Sequence, residues 1–243
     1  MSDIEIFGVG GWIRDLLLSQ EKGSNVGKSK DYDYVVPVDY ETMLNYLRSK
    51  GCQIIYEKPE FLTCKVKFPG STNVVDFTCC RSESDYDGRR PGKTSLATIE
   101  EDLARRDFTV NAIARRVDSN FQLTGDYIDP FFGRLDIKSK TLRFVGSPRE
   151  RLEEDGLRWL RALRFIITKN LTPDAETYFI LKNIENPIGL NISIERIRDE
   201  LEKCFKFDTL KTIEVLNEYP AYWNKKEIWL LPTTKEKRSQ QIP

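Results

Sequence analysis

Histidine is absent from all 243 residues, which excludes every mechanism that needs an imidazole: Ser-His-Asp or Cys-His nucleophilic catalysis, H-E-x-x-H zinc hydrolysis and histidine phosphotransfer. Cysteine is sparse. Cys52, Cys64, Cys79, Cys80 and Cys204 are odd in number and form no C-x-x-C pair, so neither a disulfide framework nor a zinc site is supported, and reduced thiols are expected. No window approaches the ~18 uncharged apolar residues of a membrane span, and the N-terminus lacks the features of a signal peptide. The expectation is a cytoplasmic protein with no membrane association. Net charge is missing too: 38 basic residues cancel 38 acidic ones, which argues against coating nucleic acid by bulk charge but permits a local basic stripe. What remains is carboxylate chemistry with oxygen-loving Mg²⁺.

Two aspartates separated by one residue, in Lys30-Asp31-Tyr32-Asp33-Tyr34-Val35-Val36, lie downstream of a glycine turn, Gly8-Val9-Gly10-Gly11-Trp12-Ile13-Arg14-Asp15. Asp is depleted in strands, yet this run is apolar and β-prone, and side chains at i and i+2 of a strand share a face. Two acids so close repel unless positive charge lies between them, and a pair of metal ions about 4 Å apart would supply it. Phosphoryl or nucleotidyl transfer is the implied chemistry. The alternative is a pair of turn acids ahead of a strand. Asp76, in Val74-Val75-Asp76-Phe77-Thr78, is a third acid in an apolar strand, and a place beside the first pair would rationalise it.

The first half of the chain alternates strand and helix patterns. Ile4 to Val9, Tyr32 to Val36, Cys52 to Tyr56, Phe61 to Phe68 and Asn73 to Thr78 read as strands, Trp12 to Leu18 and Tyr40 to Ser49 as helices, with a stop at Gly51. Ser82 to Ser95 is polar and rich in glycine and charge, which predicts a mobile loop. From Ser147 onward the pattern is helical. One long helix is expected to start near Pro148 and run through Leu152, Leu157, Leu160, Leu163 and Phe165, followed by helices near Pro173 to Ile184, Ser193 to Phe205 and Thr209 to Glu218, and a frayed polar tail from Thr233. The fold class is therefore α+β: a mixed-sheet head over residues 1–146, then a helical segment over 147–243.

Three further motifs carry chemistry, each beside a plainer reading. Gly23-Ser24-Asn25-Val26-Gly27-Lys28-Ser29 imitates a P-loop but has three residues between its glycines where four are needed, so it reads as a turn. Arg105-Arg106-Asp107 could bond phosphate and ribose hydroxyls, or form a solvated helix face with internal ion pairs. Asp155 and Arg158, at i and i+3, are expected as neighbours on one helix face that could read a base edge by paired hydrogen bonds, or as an ordinary surface ion pair. The glycine turn alone could equally serve only to start a helix.

In order, the chain carries Gly10-Gly11-x-x-Arg14-Asp15, Asp31-x-Asp33, Arg89-Arg90-Pro91, Arg105-Arg106-Asp107-Phe108-Thr109-x-Asn111-Ala112, Asp129-Pro130-Phe131-x-Gly133-x-x-Asp136, Glu154-Asp155-x-x-Arg158-x-x-Arg161 and Ser193-x-Glu195-Arg196-Ile197-x-x-Glu200-Leu201. This series resembles the class II tRNA nucleotidyltransferases, the CCA-adding enzymes with their bacterial poly(A) polymerase relatives, within the DNA polymerase beta superfamily. The resemblance implies a nucleotidyltransferase head followed by an all-helical neck and body. It implies that Asp31 and Asp33 are the metal-binding catalytic carboxylates, expected to hold two Mg²⁺ ions; Asp76 is counted with them as catalytic on the strand reading above. Gly10, Gly11 and Arg14 would bind the triphosphate. The motif around Arg106 and Asp107 would recognise ribose, and Asn111 falls with them among the nucleotide-binding positions. Asp155 and Arg158 would read the base edges of CTP and ATP, Arg161 would make a further nucleotide contact, and Arg89 and Arg90 would sit in a flexible loop used in switching from C to A addition.

The implied activity is template-independent addition of CCA to the tRNA 3′ end from CTP and ATP, releasing pyrophosphate. The same residues would serve a CC-, A- or poly(A)-adding transferase, and a catalytically silent RNA-binding protein is the reading from another class. About forty residues follow Lys203, fewer than the resemblance implies, so the expectation is either a shortened helical body gripping tRNA or an incomplete chain. Trp159 in the base-reading helix and Phe132 in the Pro-Phe turn depart from the family pattern.

Overall fold

A computed structural model describes residues 3–21, 23, 31–86, 91–183 and 192–219. The chain divides into two compact units, one of Met1–Asp85 with Gly92–Ser139, the other of Tyr86–Pro91 with Lys140–Pro243.

The first unit is built in the order β1 (Phe7–Val9), α1 (Gly11–Glu21), β2 (Asp33–Val36), α2 (Tyr40–Ser49), β3 (Gln53–Lys58), β4 (Thr63–Lys67), β5 (Val74–Cys79), β6 (Arg81–Tyr86), β7 (Pro91–Leu96), α3 (Ile99–Ala104), β8 (Ala114–Val117), β9 (Leu123–Ile128) and α4 (Gly133–Ser139). Seven strands make one sheet in the order β3-β4-β5-β2-β1-β8-β9. Only the β2–β5 pair is parallel; the other neighbours are antiparallel. The mixed sheet of the α+β expectation is therefore present. Alternation along the strands sorts the side chains by face: Tyr34, Val36, Val75 and Phe77 join Met43 and Leu47 of α2 in a dry cluster, while Asp33 and Asp76, one position out of phase, stand on the other face.

Local chemistry explains where these elements begin and stop. Asp39 caps α2, its carboxylate accepting the Thr42 N–H at 2.9 Å, and Gly51 takes the left-handed turn that ends it, at φ +73°. Thr98 and Glu101 form a reciprocal capping box at the start of α3. Of residues 82–95, expected as a loop, 82–86 and 91–95 instead belong to the two-stranded pair β6 and β7, and 87–90 lie outside the described residues; backbone pairing needs no apolar pattern, so a polar sequence does not forbid it. Arg89 and Arg90 lie outside the described residues, as does most of the P-loop imitation and the whole tail beyond Tyr219.

The second unit runs β10 (Thr141–Leu142), α5 (Pro148–Glu154), α6 (Leu157–Lys169), β11 (Thr172–Pro173), α7 (Ala175–Asn183), α8 (Ile194–Phe207) and α9 (Thr209–Glu218). It is not purely helical, because β10 and β11 form a short parallel pair. The single long helix expected from Pro148 is two helices, broken where Asp155 is extended (φ −151°, ψ 101°). Its apolar spacing continues across the break because both helices face the same core, which hides the interruption. Trp159 is part of that core, fully buried, and its indole N–H donates to the Leu181 carbonyl at 3.1 Å. Among the described residues no helix is long and apolar enough to cross a membrane, and all five thiols are free and buried.

Candidate active site

The centre of the first unit is set by backbone register. Asp33 opens β2, with Val9 opposite it on β1 and Asp76 opposite it on β5. Asp31 precedes the strand and is exposed. Burial and then the neighbouring Asp76 carboxylate push Asp33 up to about 6; Arg106 opposes them, Asp31 adds to the rise and Lys65 works against it. Lys65, on β4, holds Asp76 at 2.8 Å. Sequence reasoning overlooked Lys65, whose only signal was its place in a strand next to the one bearing Asp76.

The glycine turn lies directly against this patch. Gly10 has φ +75°, and a Cβ there would sit 3.3 Å from Asp33 Oδ2 and 3.3 Å from Arg106 Nη1, so only glycine leaves the space open. α1 starts at once, at Gly11, and the free N–H groups of a helix start favour phosphate. Arg14 is 7 % exposed. Its guanidinium donates to Asn111 Oδ1 at 2.6 Å and to both carboxylate oxygens of Asp15 at 2.9 and 3.0 Å. Asn111 donates in turn to Asp107 Oδ1 at 2.9 Å, which also accepts the Phe108 N–H at 2.8 Å. Arg14, Asn111 and Asp107 thus form a buried brace that fixes the glycine turn to the segment after α3.

Asp102 governs the two arginines. It is fully buried and bridges Arg105 at 2.7 Å and Arg106 at 2.8 Å. Burial alone would push its carboxyl up, but Arg106 and Arg105 outweigh that and hold it below the usual carboxylate range. Of the solvated-helix reading of this run the internal ion pairs are present, but the face is not solvated: α3 ends at Ala104 and the arginines turn inward onto buried Asp102. The signal was the i, i+3, i+4 spacing of Asp102, Arg105 and Arg106. Arg106 Nε is buried and meets no acceptor among the described residues, while Nη1 of the same guanidinium faces the Gly10 turn.

The donor set suits a hard cation. Among the described residues no group of three or more His, Cys, Asp or Glu side chains is gathered for one ion; the oxygen donors present are carboxylates, the ligand type of hard divalent cations. The raised Asp33, crowded by two other acids, is the electrostatic counterpart: negative charge gathered ahead of its counter-ion.

The Asp129 motif packs on the segment that carries Asn111. Asp129 accepts the Gly133 and Arg134 N–H groups at 2.7 and 2.9 Å, capping α4. A Cβ on Gly133 would meet the Thr109 carbonyl oxygen at 2.1 Å, and the buried Thr109 hydroxyl donates to Asp136 at 2.7 Å.

In the second unit, Asp155 and Arg158 are not neighbours on one helix face. Asp155 sits in the break between α5 and α6, where its carboxylate accepts the Leu157 N–H at 3.1 Å and is gripped by Arg196 of α8 at 2.6 and 3.3 Å. Arg158 donates to Glu154 at 2.5 Å and to the Arg151 carbonyl at 3.1 Å. Both groups are therefore locked in place by side chains the sequence reading had not assigned. Arg164 bonds Glu200 at 2.5 Å, and the Arg161 charge also acts on Glu200, helping to hold its carboxyl down against burial.

Residues 6–143 match the family model of the Poly A polymerase head domain. The CCA-adding enzyme of Limosilactobacillus reuteri is 36% identical over 203 residues, covering 82% of this chain and 45% of its own length. The chain spans about half the length of the curated relatives it matches. Among solved structures, a tRNA nucleotidyltransferase complexed with a primer tRNA and an incoming ATP analog is similar with a TM-score of 0.67 and 29% identity, over 93% of this chain and 63% of that one. The Bacillus stearothermophilus CCA-adding enzyme in complex with CTP gives 0.66 and 30%, over 88% and 47%.

Proposed function

Because the chain belongs to the Poly A polymerase head-domain family, we propose that it is a nucleotidyltransferase acting on RNA 3′ ends, adding CCA to tRNA from CTP and ATP. The observation that carries this reading is the patch where Asp33 and Asp76 share a register and Gly10 leaves its backbone against Asp33 and Arg106. Acids for metal and an open turn for phosphate stand side by side there.

Two Mg²⁺ held by Asp31 and Asp33 would supply Lewis acidity, lowering the pKa of the tRNA 3′-hydroxyl and neutralising the departing pyrophosphate. The chain's own groups do the rest. The start of α1 receives the triphosphate through backbone N–H groups, with Arg106 adding charge. Arg14 acts by bracing that turn, and Asp107 and Asn111 hold the brace. Asp155 and Arg158 read the base. Cytosine and adenine both present an amino donor beside a ring-nitrogen acceptor, so one carboxylate accepting and one guanidinium donating satisfies either, while uracil and guanine present the reverse. Protein thus stands in for a template.

The test is extension of a tRNA ending at its discriminator base with Mg²⁺ and CTP, ATP, both, UTP or GTP, with Asp31→Ala as blank. Two C additions, one A and arrest is the expected product. Long A tracts or C-only products would transfer the chain to a poly(A)- or CC-adding role, and no incorporation on any RNA would overturn the assignment.

A further inference from the structure

The face of the sheet that turns away from the carboxylates carries a cavity of about 780 Å³. Its walls include Trp12, Tyr32, Phe68 and Phe121. All four are only partly buried, although each packs against the dry core cluster, so each leaves ring surface accessible. Phe121 stacks on Phe68 with ring centres 4.3 Å apart and planes at 29°, and Trp12 meets Tyr32 edge-on at 5.0 Å.

The placement of Phe121 is forced. It has φ +58°, a left-handed conformation unusual for a bulky side chain. The turn around it is pinned by Asp118, whose carboxylate accepts the Asn120 and Gln122 N–H groups at 2.8 and 2.9 Å and whose carbonyl accepts the Phe121 N–H at 2.9 Å. Glycine or asparagine would hold the same turn with less strain. The turn does not require a phenyl ring; the ring packs on Phe68, Phe77 and Tyr34 and its remaining surface forms part of the cavity wall.

The remaining lining is mixed: Tyr34, Pro69, Val75 and Leu123 continue the apolar and aromatic wall, and the polar part is mostly neutral. Asn73, Asn120 and Gln122 bring amides that both donate and accept. Lys50 is the one cation among the described lining residues, already 3.3 Å from the exposed Asp3. An aliphatic ligand has no use for an amide rim, and a triphosphate would need more than one cation. Flat rings to stack on, amides to bond a ring edge and one positive charge match a base carrying a single phosphate.

We infer that this cavity is a second nucleotide subsite, stacking a base on the face opposite the carboxylates. The occupant is a free mononucleotide or one nucleotide of an RNA strand; the chemistry is the same. The subsite bears on the catalytic strand because the Trp12 indole N–H donates to the Asp33 carbonyl at 3.1 Å and Trp12 directly follows the Gly10-Gly11 turn. The inference does not require the proposed CCA addition.

The test is ultraviolet crosslinking of the protein to labelled CMP, AMP and a single-stranded oligoribonucleotide, with the adducted residues mapped by mass spectrometry. Adducts at Phe68 or Phe121 are expected. Saturation by the mononucleotides would make it a nucleotide site, and saturation by the oligonucleotide alone an RNA contact. Phe121→Gly should weaken binding there about tenfold, with a lower unfolding midpoint because the ring also packs on Phe68 and Phe77; Asn73→Ala on the exposed rim should weaken it with no change in unfolding midpoint, which separates binding from stability. Adducts confined to the carboxylate face, or unaltered in both variants, would overturn the subsite. No turnover is read, so failure of the transfer assay would leave this result standing.

Discussion

Asp33 and Asp76 face each other in parallel register on β2 and β5, and burial with this second carboxylate lifts Asp33 to about 6. A carboxyl whose pKa is raised on folding holds its proton more tightly in the native state. Its stabilising contribution is complete below the ordinary value of 3.8 and is lost as pH rises through about 6. Metal-free protein should therefore lose stability with rising pH in that window, by at most about 3 kcal/mol. Unfolding midpoints in chelator for wild type and Asp33→Asn, taken as a difference, should show that slope vanish in the variant; a difference that grows more stabilising with pH would contradict the origin assigned to the shift.

Gly10→Ala should separate catalysis from folding. Forcing a Cβ into φ +75° costs about 1–2 kcal/mol, which a folded domain of this size tolerates. The same methyl would lie 3.3 Å from both Asp33 Oδ2 and Arg106 Nη1, in the space proposed for phosphate. A misplacement of about 1 Å can cost on the order of a hundredfold in rate, so single-nucleotide incorporation should fall by at least that much while circular dichroism is unchanged. Near-normal turnover would show that phosphate does not pass this turn.

Features governed by local chemistry could be foreseen in the sequence. The helices at Tyr40–Ser49 and Thr209–Glu218 match their expected bounds because Asp39 and Asp208 cap them with side-chain bonds and Gly51 stops the first. Features governed by partners distant in sequence could not. Ala114–Val117 and Leu123–Ile128 were not foreseen as strands, because two arginines, a glycine and an aspartate blur their alternation and only pairing, of the first with β1 and of the second with the first, makes them strands. The carboxylate register was partly visible in Asp31-x-Asp33, but that Asp76 would stand beside Asp33 depends on the parallel β2–β5 pairing. The break at Asp155 was concealed by an apolar stripe that both helices share, and the grip of Arg196 on it spans 41 positions.

Phe132 and Gly133 should respond in opposite directions to a swap of size. Phe132 is 71 % exposed with φ +58°, so Phe132→Gly removes strain and little packing, and should stabilise by up to about 1 kcal/mol. Gly133→Ala would drive a Cβ to 2.1 Å from the Thr109 carbonyl oxygen and 2.9 Å from the Ile113 side chain, which a packed backbone cannot accommodate without shifting α4. Destabilisation above about 3 kcal/mol is expected. Denaturant midpoints for the pair decide it, and equal effects would mean that α4 can slide on its support.

Arg196 offers a test of base selection at a residue that need not touch the base. Its guanidinium holds both oxygens of Asp155, at 2.6 and 3.3 Å, and so fixes the acceptor proposed to meet the amino groups of cytosine and adenine. Arg196→Ala would free that carboxylate to rotate, which should cost about 2 kcal/mol of transition-state binding, roughly thirtyfold in kcat/KM for CTP and ATP. UTP and GTP never gained from the fixed acceptor, so their incorporation should fall less and the selectivity ratio should collapse. Arg196→Lys should recover only part of it, since an ammonium cannot grip two oxygens as a planar fork does. Because the Arg196 side chain is partly solvent-exposed, the unfolding midpoint should move little in either variant. Uniform loss across all four nucleotides would make Arg196 a prop for the α5–α6 break alone and would remove Asp155 from the reading of the base.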